Sequence, residues 1–143
     1  MIAFGTDVLI YAAIPQHPLG TKVLGLFPAD DVRDQQAGVG SMLLVPELMI
    51  KPVRENRLGE LNQLAWLLSR IELLDVDQDI ADLAVVVGAK LRLKAPDALH
   101  LATAMYAGAD QFLTNNSRDF DAAFDGIEII FPTDLPDSKR PND

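Results

Sequence analysis

The sequence contains no cysteine, which excludes disulfide bonds and metal sites built from thiolates. Only two histidines are present, so a histidine-rich zinc site has little support. Lysine and arginine total 12 against 21 aspartates and glutamates, and the net charge of −9 disfavours a general nucleic-acid coat. No apolar run reaches the roughly 18 residues that crossing a bilayer requires. Because the first residues also lack the basic region of a signal peptide, we expect a cytoplasmic protein that does not enter the membrane.

The length and composition are those of one globular domain. The chain has 143 residues, of which 49% are hydrophobic and 23% are charged. No internal repeat or linker divides it, and we place the domain at residues 1–131. The remaining stretch, PTDLPDSKRPND over residues 132–143, is rich in proline and charge, so we expect a flexible C-terminal tail.

Short apolar runs alternate with segments of helical periodicity. The runs expected to form strands are IAF, SMLLV, ELLDV, QFLT and IEIIF. Between them we expect helices that include TDVLIYAAI, PELMIKPVREN, LGELNQLAWLLSRI and PDALHLATAMYAG, and a short helix at SRDFDAAF. This alternation predicts an α/β fold in which a parallel sheet carries helices on both faces.

Polar residues follow several of the expected strands, and the carboxyl ends of parallel strands are where such sheets gather functional groups. The acids at these strand-to-helix junctions are Asp7, Glu47 and Asp97. Each one alone is explained by a favourable charge in the first turn of a helix. Together on one rim, they would raise one another's pKa unless a cation lay between them. A site with only oxygen ligands would favour Mg²⁺ or Mn²⁺.

Three stretches, IAFGTDVLIYAA, SMLLVPELMIKPVREN and APDALHLATAMYAGADQFLTNNSRDF, together resemble a PIN domain of the VapC-like kind. The resemblance covers residues 2–131, and its most specific part is PDALHLATA followed by GADQFLTN. It implies a three-layer α/β/α fold with a central parallel sheet. It also implies a Mg²⁺-dependent ribonuclease and, as in many members, a toxin that a small antitoxin protein neutralises.

The family's acidic site usually consists of an aspartate after the first strand, a glutamate after the second, an aspartate opening the later helix and another aspartate after the fourth strand. The resemblance places Glu47 and Asp97 at the second and third positions, as catalytic metal ligands. Gly5 and Asn116 stand at the first and fourth positions, so both of those acids are missing. We expect Asp7 and Asn116 to complete the metal site, with Asp7 reaching back past Gly5 along extended backbone.

Neighbouring residues are candidates for supporting roles. Thr6 and Thr114 lie beside the acid positions and are expected to bond water or orient a carboxylate. Asp119 comes three residues after Asn116 and, in the short helix expected there, would face the same side. The alternative for the two hydroxyl groups is to satisfy turn amides. His100 follows Asp97 by three residues, and we expect a packed or hydrogen-bonded structural histidine there rather than a metal ligand.

Basic residues after Glu47 are candidates for contact with RNA. Lys51, Arg54 and Arg57 are spaced three residues apart and would guide a phosphate backbone to the metal. The alternative is a solvated helix face. The leucine-rich segment LNQLAWLLSRI likewise has two interpretations, plain core or a surface for a homodimer partner or an antitoxin helix.

Two functions therefore remain open. The first is a Mg²⁺- or Mn²⁺-dependent endoribonuclease with weak activity, because the two missing acids weaken the metal site. The second is a weakly active or inactive PIN-fold binding module that acts through a protein partner or RNA. A third possibility, an unrelated α/β protein that binds phosphate, has less support because no glycine-rich phosphate loop follows any expected strand.

Overall fold

A single parallel sheet forms the centre of the molecule. The computed structural model describes residues 1–28 and 35–137. Within those ranges the strands are β1 (Ile2–Phe4), β2 (Gly38–Ser41), β3 (Ile71–Leu74), β4 (Gln111–Leu113) and β5 (Glu128–Ile130). Their order across the sheet is β3-β2-β1-β4-β5, and each neighbouring pair is parallel. The expected α/β fold with a central parallel sheet is thus confirmed.

Helices cover both faces of the sheet. The described helices are α1 (Thr6–Ala13), α2 (Pro18–Leu24), α3 (Leu44–Arg54), α4 (Leu58–Ser69), α5 (Gln78–Leu91) and α6 (Ala95–Tyr106). Helices α1 to α4 pack on one face around Phe4 and Leu113, whereas α5 and α6 pack on the other around Ala3 and Phe112. This alternation along each strand follows from the two-residue period of side-chain direction. No helix within the described ranges is long and apolar enough to cross a membrane.

Two expected elements are wrong. The second strand is GVGS rather than SMLLV, and the leucines of SMLLV open α3 at Leu44. Because two of the four residues of GVGS are glycines, the strand has no alternating hydrophobic pattern that would predict it. Glycine is nevertheless required at position 38, since a Cβ there would lie 2.1 Å from the carbonyl oxygen of Ile2. The segment SRDFDAAF forms turns instead of a helix. There, the carboxylate of Asp121 accepts a hydrogen bond from the backbone N–H of Ala123, which competes with helical bonding.

Beyond residue 131 the described chain stays against the core. Pro132–Asp134 form a short 3₁₀ helix, and the buried Leu135 packs in the same apolar cluster as α1 and α2. Lys22 Nζ donates to the carbonyl oxygen of Leu135 at 3.1 Å. The expected domain boundary at residue 131 stays a prediction, and residues 138–143 of the expected tail lie outside the described residues.

The strand order creates a crevice at the centre of the sheet. From β1 the chain moves outward through β2 and β3, and then crosses back to place β4 on the other side of β1. Phe4 at the end of β1 is in register with Leu113 at the end of β4. Ligands of open α/β sheets bind at such a reversal point, outside the carboxyl ends of the strands. The segments that follow β1, β2 and β4 therefore converge on one place.

Candidate functional site

A pocket of about 140 Å³ lies at this crevice. It contains both Glu47 and Asp97, the two acids on which the proposed site depends. Its full lining is Gly5, Thr6, Asp7, Glu47, Asp97, His100, Phe112, Thr114, Asn116 and Phe120. The structure thus places most of the expected site residues around the two acids, and it adds one titratable side chain that was not assigned to the site, His100.

Glu47 lies in the first turn of α3, and two donors hold one oxygen of its carboxylate. Thr6 Oγ1 donates to Oε1 at 2.9 Å, and His100 Nε2 donates to the same oxygen. Burial acts to raise the pKa of Glu47, but the hydrogen bond and charge of His100 and the bond from Thr6 together lower it below the usual 4.5. Glu47 is therefore ionised at neutral pH. Its Oε2 has no hydrogen-bond partner among the described residues.

His100 lines the pocket and contacts Glu47, although sequence reasoning did not assign it to the site. It is buried, at 4% exposure, and its Nε2 lies 3.1 Å from Thr6 Oγ1 as well as bonding Glu47. Because a carboxylate only accepts hydrogen bonds, Nε2 carries a proton. Nδ1 is buried with no hydrogen-bond partner in the described part of the chain. The three-residue spacing from Asp97 was the available signal, and the expected hydrogen-bonded histidine is present with Glu47 as its partner.

Asp97 lies in the first turn of α6, and no described residue donates a hydrogen bond to its carboxylate. Its pKa is raised above the usual 3.8, first by burial and then by the negative charge of Asp119. The charges of Glu47 and Asp7 raise it further, while His100 acts in the opposite direction. Four carboxylates are therefore in electrostatic contact at this rim.

Asp7 reaches the pocket by a different route from the one expected. The backbone is helical from Thr6, so the expected extended segment between Gly5 and Asp7 is wrong. Asp7 Oδ1 accepts from the N–H of Val8 at 2.9 Å, and Oδ2 accepts from the N–H of Asn115 at 3.0 Å. Burial raises the pKa of Asp7 despite these bonds. A Cβ on Gly5 would lie 3.6 Å from Oδ1, so Asp7 fills space beside the missing side chain.

The segment after β4 is organised by local hydrogen bonds. Asn116 Nδ2 donates to Asp119 Oδ2 at 2.8 Å, and the N–H of Asp119 donates to Asn116 Oδ1 at 3.2 Å. Thr114 Oγ1 accepts from the N–H of Asn116 at 3.1 Å, which is the turn-amide role left open for this hydroxyl. Thr6, in contrast, orients a carboxylate. Asp119 is exposed, yet its charge is the largest one acting on Asp97.

The basic residues of α3 lie farther from the pocket. Glu47 is in the first turn of this helix, and Lys51 and Arg54 are in its last turn. At 1.5 Å per residue, they lie about 6 Å and 10 Å along the axis from Glu47. Arg57 pairs with Glu55 at 3.3 Å and with Glu60 at 3.4 Å. Their contact with RNA stays a prediction.

The model of the PIN domain family matches residues 5–124. This chain belongs to the PIN domain family. The match includes Glu47, Asp97 and all the other residues that line the pocket. Comparison with curated protein sequences finds no match.

Solved structures share the fold of this PIN domain. A toxin–antitoxin complex from Klebsiella pneumoniae is 24% identical, covers 92% of this chain and 96% of its own, and has a TM-score of 0.70. FitAB bound to an IR36 DNA fragment is 21% identical, with coverages of 95% and 98% and a TM-score of 0.68. VapBC2 from Rickettsia felis, bound to a promoter DNA fragment, is 18% identical, with coverages of 92% and 98% and a TM-score of 0.65. At these identities the similarity supports the fold alone.

The donors of this PIN domain suit one small hard cation. Within the described residues, no three acidic or histidine side chains are already arranged as a metal-binding group. Of the carboxylates that line the pocket, those of Glu47 and Asp97 have oxygens without a hydrogen-bond partner among the described residues: Oε2 of Glu47 and both oxygens of Asp97. Mg²⁺ is commonly bound by one or two carboxylates with water completing its octahedron. Burial is the first cause of the raised pKa of Asp97, but the negative charges of Asp119, Glu47 and Asp7 that raise it further would also attract a cation.

Proposed function

We propose that this PIN domain is an endoribonuclease dependent on Mg²⁺ or Mn²⁺, the toxin of a toxin–antitoxin pair, with a weakened acidic site. The observation that carries the proposal is the pocket shared by Glu47 and Asp97 at the reversal point of the sheet. Membership of the PIN family supports phosphodiester hydrolysis as the reaction. The net charge of −9 leaves steering of RNA to local basic residues, for which Lys51, Arg54 and Arg57 are the candidates.

Glu47 and Asp97 would hold the cation. When bound, it would polarise a phosphoryl oxygen and lower the pKa of the attacking water. Glu47 is ready for this role because hydrogen bonds from Thr6 and His100 keep it ionised. Asp97 gives up its proton less readily because of burial and the charge of Asp119, and a nearby positive charge would reverse that effect.

The remaining polar residues position the pocket. Asp7 ties the start of α1 to the segment after β4 through the N–H of Asn115. Asn116 holds Asp119 and is a weaker oxygen ligand than a carboxylate. Because Gly5 provides no carboxylate, we propose that one cation binds rather than two. Activity would then be weak and would require a high concentration of Mg²⁺ or Mn²⁺.

A small antitoxin protein and a second copy of the chain are the proposed partners. The Klebsiella pneumoniae neighbour is described as a toxin–antitoxin complex, which motivates an antitoxin here. A groove of about 570 Å³ lined by Ala13, Leu24 and Gly59, among others, lies between α1, α2 and α4 and offers space for a partner segment. Exposed apolar side chains, including Ile50 and Val53 on α3, support a further protein contact such as a homodimer. A cytoplasmic location stays a prediction.

One set of observations favours the alternative function, a binding module without chemistry. Gly5 has no carboxylate, and both oxygens of Asp7 are bound to backbone amides. A module of this kind would keep the fold and the partner surfaces while binding no cation.

Cleavage of a fluorogenic RNA in Mg²⁺ or Mn²⁺ separates the two functions. We expect slow cleavage by the unaltered protein and none by Asp97→Asn or Glu47→Gln, because each variant removes one of the two carboxylates that would hold the cation. Glu72→Gln is the control, since Glu72 is an exposed acid on β3 outside the pocket. Equal cleavage by the protein and Asp97→Asn would reject the assigned site, and cleavage by neither would favour the binding module.

A further inference from the structure

The two donors to Glu47 converge on the same carboxylate oxygen. We propose that Thr6 and His100 restrict Glu47 to binding a cation through Oε2 alone, and that this restriction makes the pocket prefer Mg²⁺ and Mn²⁺ over Ca²⁺. The inference rests on the proposed function, because it assumes that Glu47 binds a divalent cation. It assigns His100 and Thr6 as positioning residues that select the metal.

The three groups form a closed set of contacts. Thr6 Oγ1 lies 2.9 Å from Glu47 Oε1 and 3.1 Å from His100 Nε2, and His100 Nε2 donates to the same Oε1. The residues belong to the first turns of α1 and α3 and to the middle of α6, and His100 is buried. Because α1 and α3 on one face of the sheet and α6 on the other carry these side chains, and all three helices pack against the sheet, the carboxylate is held in one orientation.

Releasing Oε1 to a metal would leave the imidazole poorly bonded. Nδ1 of His100 already has no hydrogen-bond partner among the described residues. If Glu47 turned to offer both oxygens, Nε2 would lose its charged acceptor and keep only the neighbouring hydroxyl of Thr6. A buried donor without its partner is costly, so the clamped orientation should persist when a cation binds.

The two kinds of cation respond differently to a single available oxygen. Ca²⁺ takes six to eight oxygen ligands at 2.3–2.6 Å and often binds a carboxylate through both oxygens. Mg²⁺ requires an octahedron at 2.0–2.1 Å and usually takes one oxygen from each carboxylate, with water at the other positions. With Oε1 of Glu47 occupied, Ca²⁺ loses a ligand that Mg²⁺ does not use. The preference for Mg²⁺ over Ca²⁺ therefore comes from the hydrogen bonds that make Oε1 of Glu47 unavailable to the cation.

Direct binding measurements test this without an activity assay. Mn²⁺, Mg²⁺ and Ca²⁺ are titrated into the full-length protein by calorimetry, and the ratio of the Ca²⁺ and Mg²⁺ dissociation constants is compared between variants. His100→Leu and Thr6→Val remove one donor each with little change of volume. His100→Gln and Thr6→Ser are the matched controls, because each keeps a hydrogen-bond donor at the same place.

We expect the unaltered protein to bind Mg²⁺ and Mn²⁺ more tightly than Ca²⁺. His100→Leu and Thr6→Val should each reduce the ratio of the Ca²⁺ dissociation constant to the Mg²⁺ dissociation constant by about tenfold, which is the effect of losing one charge-assisted hydrogen bond. The matched controls should keep the original ratio. A purely structural role would weaken all three cations together and leave the ratio unchanged. If His100→Leu does not fold, the half-buried Thr6 position decides the question.

The outcomes separate this inference from the proposed function. An unchanged ratio in the apolar variants, or no preference in the unaltered protein, overturns the selectivity mechanism and leaves the metal site in place. Absence of binding of any divalent cation to the unaltered protein overturns both. Loss of all binding in Asp97→Asn, with a changed ratio in the Thr6 and His100 variants, supports both.

Discussion

Asp97→Asn is expected to stabilise the cation-free protein while abolishing its response to Mg²⁺. In the folded protein the pKa of Asp97 is raised above 3.8 by burial and by the charges of Asp119, Glu47 and Asp7. A raised pKa means that the protonated form contributes stability below about pH 3.8 and that this contribution is lost as the pH rises through the folded value. At neutral pH the ionised Asp97 is therefore a net cost, which an asparagine removes.

The magnitude of each effect follows from exposure and mass action. Asp97 is half-buried, so solvent screening keeps the cost of its charge below about 1 kcal/mol. A cation at ten times its dissociation constant would stabilise the folded protein by about 1.4 kcal/mol. For a chain of this length that corresponds to roughly 2–5 °C in the melting temperature. The variant should melt slightly higher than the unaltered protein in chelator and should not move when Mg²⁺ is added.

The assay is thermal unfolding followed by circular dichroism in chelator, Mg²⁺ and Mn²⁺, at several pH values between 4 and 7. The advantage of the variant in chelator should shrink as the pH falls, because the unaltered Asp97 then becomes protonated. Glu72→Gln is the matched control for loss of one exposed charge. A variant that melts lower in chelator, or one that responds to Mg²⁺ as fully as the unaltered protein, would refute the reasoning.

Three further changes test other parts of the structure. Gly5→Asp combined with Asp7→Asn should increase Mg²⁺ affinity severalfold in calorimetry, because the new carboxylate at position 5 has no hydrogen-bond partner and the asparagine at position 7 still accepts from the N–H of Asn115. An unchanged affinity would contradict the placement of position 5 beside the metal site. Adding Asn116→Asp should increase Mg²⁺ affinity less than the change at position 5, because the side-chain amide of Asn116 donates a hydrogen bond to Asp119 that an aspartate cannot replace. A larger gain in affinity than that from position 5 would contradict this expectation. His17→Ala should lower stability by about 1 kcal/mol in denaturant titration, since Nδ1 caps α2, while His17→Asn should not; equal stability of the alanine variant would argue against this cap.

The fold was largely predictable because hydrophobic periodicity reports burial on a sheet or helix. The strands IAF, ELLDV, QFLT and IEIIF are where the pattern placed them, within a few residues. GVGS was not predictable by that signal, because the close approach of Gly38 to β1 demands a residue with no side chain. The helix expected at SRDFDAAF failed for a related reason, since short polar side chains there bond to nearby backbone.

The sequence predicted which acids line the pocket but not the hydrogen bonds that these acids make. The rule for strand ends predicted that Asp7 and Glu47 lie at one rim, and the resemblance to the PIN family added Asp97, which follows a helix rather than a strand. The bond between His100 and Glu47 spans 53 positions, and the contact between Thr6 and His100 spans 94. Contacts at such separations depend on how α1, α3 and α6 are placed around the sheet, and no local pattern in the sequence encodes that placement. The same is true of the amides that hold Asp7.

The neutral residues Gly5 and Asn116, which stand where the family usually has aspartates, do not leave the site short of negative charge. Each has a carboxylate beside it: Asp7 Oδ1 lies 3.6 Å from where a Cβ on Gly5 would be, and Asp119 is hydrogen-bonded to Asn116 at 2.8 Å. With Glu47 and Asp97 this makes four acids, the number that the resemblance to the PIN family implies. The four acids differ in how many carboxylate oxygens are available to a cation, because backbone amides donate to both oxygens of Asp7 and the side-chain amide of Asn116 donates to Asp119. The number of free oxygens, rather than the number of acids, should therefore limit how tightly a cation binds.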